Sequence, residues 1–140
     1  MEKIAGDADG VIIRLSRTEF RIVNNSLNEV TNGIRIPDTE FVARLGGSRM
    51  ETGQLLDRIR GAVDTSALPP EARPGKAVSS EGMTVRLGVA DLALLRNAMI
   101  EMTKGVEIEE WEYPIRLGAT VAEGKQLLGE IEEITGETET

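Results

Sequence analysis

Along each half of the chain the apolar positions change period several times, and each change predicts an element. Residues 11–15 (VIIRL) and 83–87 (MTVRL) are short runs rich in β-branched side chains, which predicts two strands. From 18 to 32, Phe20, Val23, Leu27 and Val30 recur at steps of three and four, the stripe of an amphipathic helix, and Leu92, Leu95, Met99 and Met102 repeat it. Gly33 and Gly105 follow, where a helix end favours a residue that tolerates positive φ. The next stretch is ambiguous. Taken alone, residues 40–56 (EFVARLGGSRMETGQLL) resemble a helix-turn-helix, with Gly46 at the turn and Ser48 opening a second helix. The matching residues 111–117 (WEYPIRL) alternate apolar with polar or proline and place Pro114 where a helix would need a backbone donor. That pattern predicts a strand, with Trp111, Tyr113, Ile115 and Leu117 on one face, Phe41, Ala43 and Leu45 on its counterpart, and Pro114 at an edge or bulge. A last helix opens in each half with an S/T-x-x-E capping box, at Ser48 and Glu51 and at Thr120 and Glu123. Its buried stripes are Leu55, Leu56 and Ile59, then Leu127, Leu128 and Ile131.

The correspondence between the halves is a repeat. Sliding the chain by 72 residues aligns 12–59 with 84–131 without a gap, and 16 of the 48 pairs are identical, where unrelated stretches would share about three. Two strand-helix-strand-helix units are therefore expected, at 11–60 and 83–134. The expected class is α+β with α/β-like units, the strands of each unit parallel through a right-handed crossover. A unit of this size buries too little surface alone, so the two are expected to pack as one body about a pseudo-two-fold axis. Residues 61–82 hold three of the five prolines and much Ala, Ser and Gly, and read as a linker. The ends, 1–10 and 135–140, are expected to be flexible.

Composition narrows the chemistry. Among 140 residues there is neither Cys nor His, which removes thiol nucleophiles, disulfides and the commonest general base and metal ligand. Sixteen basic residues against 24 acidic ones give a net charge of −8, which disfavours bulk attraction to nucleic acid or an anionic membrane. The polar N-terminal residues and the lack of a long apolar run point to a soluble cytoplasmic protein, with no membrane partner. No phosphate loop, nucleotide fingerprint or metal-ligand cluster is present, so no cofactor or metal is implied. Gly46 and Gly47 place free amides at a helix start, as most capped helices do.

Several polar residues occur in both units: Arg14 and Arg86, Asn25 and Asn97, Glu29 and Glu101, Glu40 and Glu112, Arg44 and Arg116. These are expected to form ion pairs or caps that hold strand register, with no catalytic residue among them. The units differ in charge. Residues 11–60 carry eight basic and six acidic residues, whereas 83–134 carry five and ten. Much of the excess is Glu107, Glu109, Glu110 and Glu112, which surround the single Trp111 and the single Tyr113. An aromatic anchor rimmed by carboxylates suits docking on a basic protein partner.

The blocks LNEVTNG at 27–33 and EFVARLG at 40–46, followed by S-x-x-E, resemble small bacterial proteins built on LNEV-x-NG … EF-x-x-RLG. Some of those are similar to immunity proteins that neutralise bacterial toxins. The second unit departs from the block with MIEMTKG and EYPIRLG. The resemblance implies a non-enzymatic binding protein of inhibitor or immunity type, which agrees with an acidic second unit that docks on a basic partner. Two alternatives use other residues: a DNA-binding regulator with Arg49, Arg58 and Arg60 on phosphates, or a small enzyme using Glu29 and Glu101. Self-association beyond the internal pair is left open by the sequence.

Overall fold

The computed structural model describes residues 1–7, 9–33, 36–64, 82–105, 109 and 111–139. Strands β1 (Glu2–Asp7) and β2 (Gly10–Leu15) lead into helix α1 (Arg17–Asn28), which widens into a π-helical turn at Glu29–Gly33. Helices α2 (Asp38–Leu45) and α3 (Arg49–Arg60) follow, then the short strand β3 (Val63–Asp64). Strand β4 (Met83–Leu87) begins the same order again, with α4 (Val89–Ile100), a π-helical turn at Glu101–Gly105, α5 (Glu112–Leu117) and α6 (Val121–Glu139). The class is α+β. Among the described residues, no helix is long and apolar enough to cross a membrane.

The four strands form one sheet in the order β1-β2-β4-β3, antiparallel at every step. Its centre is the β2–β4 pair, where Val11 faces Leu87, Ile13 faces Val85 and Leu15 faces Met83. Alternate residues Val11, Ile13 and Leu15, with Val85 and Leu87, are buried and join the helices in one hydrophobic cluster. Ile22, Val23 and Leu27 of α1, Leu55 and Ile59 of α3, Leu92, Leu95 and Met99 of α4 and Leu128 and Ile131 of α6 fill it. Helix α1 packs on α3 and α4 on α6, while α1 and α4 meet between them.

The sequence expectation of a strand in the third segment of each unit is corrected: α2 and α5 are helices. The alternation in 111–117 is two helical spacings interleaved. Tyr113 and Leu117, four apart, are buried, while Trp111 and Ile115, also four apart, are exposed on the other side. Phe41 and Leu45 are buried in the same way and Ala43 is exposed. Pro114 lies in the first turn of α5, where its missing N–H has no intrahelical acceptor to lose. With one strand at the head of each unit, the expected parallel pairing within a unit is also corrected to an antiparallel pairing between units.

Both chain ends carry regular secondary structure. Residues 2–7 form β1 on the edge of β2, satisfying the backbone groups that a two-stranded β2–β4 ribbon would leave open. Helix α6 runs to Glu139, and Thr135 is buried with its hydroxyl donating to the Ile131 carbonyl at 2.7 Å. Of the predicted linker, Val63 and Asp64 pair with Thr84 and Met83, and 65–81 lie outside the described residues. The capping boxes form as expected: the Glu51 amide donates to Ser48 Oγ and the Ser48 amide to Glu51 Oε1, both at 3.1 Å. The equivalent bond from the Thr120 amide holds the Glu123 carboxyl below the usual carboxylate range.

One substitution pair couples α5 to α6. Phe41 and Thr52 stand 72 residues before Tyr113 and Gly124. Thr52 is fully buried, whereas a Cβ on Gly124 would fall against the Tyr113 hydroxyl and within 2.9 Å of its ring carbon Cζ. The larger aromatic thus requires the smaller residue opposite. Gly124→Ala should lower the unfolding free energy by about 1–3 kcal/mol despite the better helix propensity of alanine, and adding Tyr113→Phe should recover part of that loss. Chemical denaturation of the three variants checks both signs.

Candidate functional site

The polar residues shared by both units meet across them, not within them. Asn25 on α1 donates to the carbonyl of Leu117 at the end of α5 (3.0 Å), and Asn97 on α4 donates to the carbonyl of Leu45 at the end of α2 (2.8 Å). One turn further on, Glu29 accepts from Arg116 Nη1 at 3.0 Å, and Glu101 accepts from Arg44 through both Nε, at 3.1 Å, and Nη2. Each Arg-Leu-Gly of one unit is therefore seated on an Asn-x-x-x-Glu of the other. The leucines, Leu45 and Leu117, are fully buried. Gly46 and Gly118 close the helices at φ +82° and +76°, a conformation that side chains rarely adopt. A Cβ on Gly46 would come within 3.0 Å of Asn97 Nδ2, whereas one on Gly118 would fall against the Arg21 side chain and only touch Asn25 Nδ2 at 3.5 Å. Gly33 differs from these, since a Cβ there would displace the Glu29 carboxylate from its place in the clamp.

The expected ion pairs thus exist, but their partners differ from register pairing of strands. Glu40 remains close to Arg44 at 3.8 Å and Glu112 to Arg116 at 3.3 Å, as i,i+4 pairs along α2 and α5. Arg14 pairs with Glu2 of β1, and Arg86 is exposed on β4 opposite Ile12. The two clamps are unequal. Hydrogen bonding to Glu101 raises the Arg44 pKa further above its ordinary value, and Glu101 is buried. Arg116 is divided between Glu112 and Glu29, whose hydrogen bonds raise its pKa in that order, and it is the more exposed arginine.

The arginines of the DNA-binding alternative all have partners inside the chain. Helices α2 and α3 do form a helix pair joined at Gly46 and Gly47. Arg49 donates to the carbonyls of Thr31 (2.9 Å) and Ile36 (2.8 Å) and to Asp38 (3.1 Å), and stacks 4.4 Å from the Phe41 ring centroid. Arg58 pairs with Asp91, and Arg60 donates to Asn24 and Asn28. Glu29 and Glu101, the carboxylates of the enzymatic alternative, are the clamp acceptors described above.

The acidic docking residues fall on and before α5. Trp111 is 66% exposed and Ile115, one turn on, is 76% exposed. They line an open groove of about 470 Å³ with Glu29, Glu112 and Arg116. Glu109 is exposed just before it, while Glu107 and Glu110 lie outside the described residues. Ile115 is the member that the strand reading misses: it puts Trp111, Tyr113, Ile115 and Leu117 on one face and takes only Trp111 of them as a docking residue. Helical spacing from Trp111 would have paired them. Tyr113, between them in sequence, points inward; burial pushes its phenol pKa up, partly offset by a 3.3 Å hydrogen bond with the Thr103 hydroxyl. Comparison with protein-family models, curated proteins and solved structures finds no match.

Two measurements follow from this geometry. Glu101→Gln should cost about 2 kcal/mol of unfolding free energy, since it takes the bidentate carboxylate from a half-buried guanidinium that Glu40 approaches only to 3.8 Å, and Glu29→Gln about 1 kcal/mol, because Arg116 keeps Glu112 at 3.3 Å. Equal losses in urea titration would contradict the inequality of the clamps. The second concerns alkaline pH. A phenol whose folded pKa is raised stabilises the fold fully below its unfolded value near 10, and that contribution is lost as pH rises from there through the folded value. Tyr113→Phe should therefore flatten the alkaline decline in stability, and tyrosinate absorbance, which reports this one tyrosine, should appear above the ordinary pH in the wild type.

Proposed function

We propose that the chain is an internally duplicated, fused pseudo-dimer that acts as a non-enzymatic protein-binding module of inhibitor or immunity type, docking on a basic protein partner through α5. The duplication is supported by the 72-residue repeat together with the reciprocity of the contacts. The β2–β4 register centres on Ile13 and Val85, themselves 72 apart, and both clamps link one unit's Arg-Leu-Gly to the other unit's Asn and Glu. An interface in which residue i meets j and j meets i is the signature of two-fold association.

One observation carries the docking function: Trp111 and Ile115 stand exposed on one groove, with Glu112 beside them and Glu109 exposed two residues before Trp111. A folded protein of this size ordinarily buries tryptophan, and exposed aromatic area beside charge is typical of interface anchors. The first unit has Thr39 and Ala43 at those places, so the surface belongs to the second unit alone. The carboxylates favour encounter with a cationic surface and make it salt-sensitive. The blocks at 27–33 and 40–46 that resemble immunity-type proteins form part of the clamp, which sets where α5 sits.

The Trp111→Ala/Ile115→Ala double variant tests the reading. Its thermal midpoint should stay within a few degrees of wild type, because both side chains are on the surface. Its affinity for the partner should drop by at least about 30-fold, the effect of removing an interface anchor. The adjoining gene's product, expressed and titrated by calorimetry, is the first partner to measure. Unfolding of the variant, or a partner that binds it as tightly as wild type, would refute the assignment of this face.

A further inference from the structure

Building on the docking reading above, we infer that the groove at Trp111 receives an arginine side chain of the partner protein. The chain itself contains a working example of such a receptor. Arg49 lies over the Phe41 ring at 4.4 Å while its guanidinium is shared between the Asp38 carboxylate and the carbonyls of Thr31 and Ile36. An aromatic face, a carboxylate and acceptors in the plane of the fork are what a guanidinium recognises. In the second unit, Val121 stands 72 residues beyond Arg49, and the aromatic that unit exposes is Trp111.

The groove has the chemistry to hold the cation. Trp111 offers the aromatic side chain that binds cations best, and two-thirds of its surface is open. Glu29 and Glu112 both face the groove against the single guanidinium of Arg116, so carboxylate is in excess there, and Glu109 is exposed two residues before Trp111. Arg116 does not repel an incoming cation as a lone charge would, because Nη1 donates to Glu29 and Nε to Glu112. Ile115 supplies an apolar wall, 76% exposed, on which the methylene stem of an arginine packs. Lysine would satisfy the charge but not the planar stacking, which separates an arginine receptor from a surface that is merely acidic.

The test uses the full chain and three capped peptides, hexa-arginine, hexalysine and hexaglutamate, titrated by calorimetry and by the emission of the single tryptophan. Hexa-arginine should bind, change Trp111 emission, and exceed hexalysine by about threefold to tenfold, with binding weakened by salt. Trp111→Ala, shown folded by circular dichroism, should abolish the arginine preference, and Glu109→Gln and Glu112→Gln should each weaken hexa-arginine by about threefold. Equal affinity for arginine and lysine peptides, absence of hexa-arginine binding, or a preference that survives Trp111→Ala would overturn the inference. The docking reading fails separately, when the natural partner binds the Trp111→Ala/Ile115→Ala variant undiminished. An arginine preference lost in Trp111→Ala supports the receptor whatever partner is found.

Discussion

The seating of each Arg-Leu-Gly on the other unit's Asn-x-x-x-Glu is the constraint on which the arrangement of the helices rests. Helices α2 and α5 have eight and six residues, too few to be stable by themselves. Their C-terminal carbonyls would be left open where the chain reverses at Gly46 and Gly118. An asparagine from the opposite unit takes the last leucine carbonyl, a glutamate takes the arginine one residue earlier, and the leucine itself enters the core. Apolar burial provides the bulk of the stabilisation, while these directional bonds choose which surface each short helix lies on. Shared placement also explains the glycines: two because the chain turns left-handed, and Gly33 because a side chain there would displace the Glu29 carboxylate from the clamp.

The same device operates with different strength in the two units. Around α2 of the first unit, Glu101 of the second is buried and grips Arg44 with both oxygens, and Arg49 ties the stretch before α2 to α3. In the second, Arg116 is divided between two carboxylates, valine stands at 121, and α5 is two residues shorter. The more exposed clamp is the one beside Trp111 and Ile115. On the proposed reading the first unit maintains the body and the second presents a face, a division of labour that a fused pair permits and a symmetric dimer does not.

Much of this was legible in the chain. The 72-residue repeat, the two strands heading the units, the stripes of α1 and α4 and the capping boxes at Ser48 and Thr120 follow from local rules of period and hydrogen bonding, which hold wherever the segment packs. Among the shared polar residues, Glu29 pairs with Arg116 and Glu101 with Arg44, while Arg14 takes Glu2 and the two asparagines take backbone carbonyls. The third segment was misread because alternation over seven residues fits two geometries. One is a strand with a single apolar face; the other is a helix whose i,i+4 pairs point to opposite sides. Burial of Tyr113 and Leu117 and exposure of Trp111 and Ile115 decide between them, and burial is a property of neighbours.

What the sequence determined by itself is therefore the local inventory: where helices start and stop, which residues are apolar enough for a core, and which polar groups need a partner. Which partner each group takes was decided only in three dimensions, where Arg44 reaches Glu101 and Arg116 reaches Glu29 across gaps of 57 and 87 residues. Period and capping are set within a turn or two of chain. Pairing over such distances depends on how two units close on each other, and that closure comes from the antiparallel β2–β4 ladder and the packing of α1 on α4, neither of which leaves a mark within any single segment.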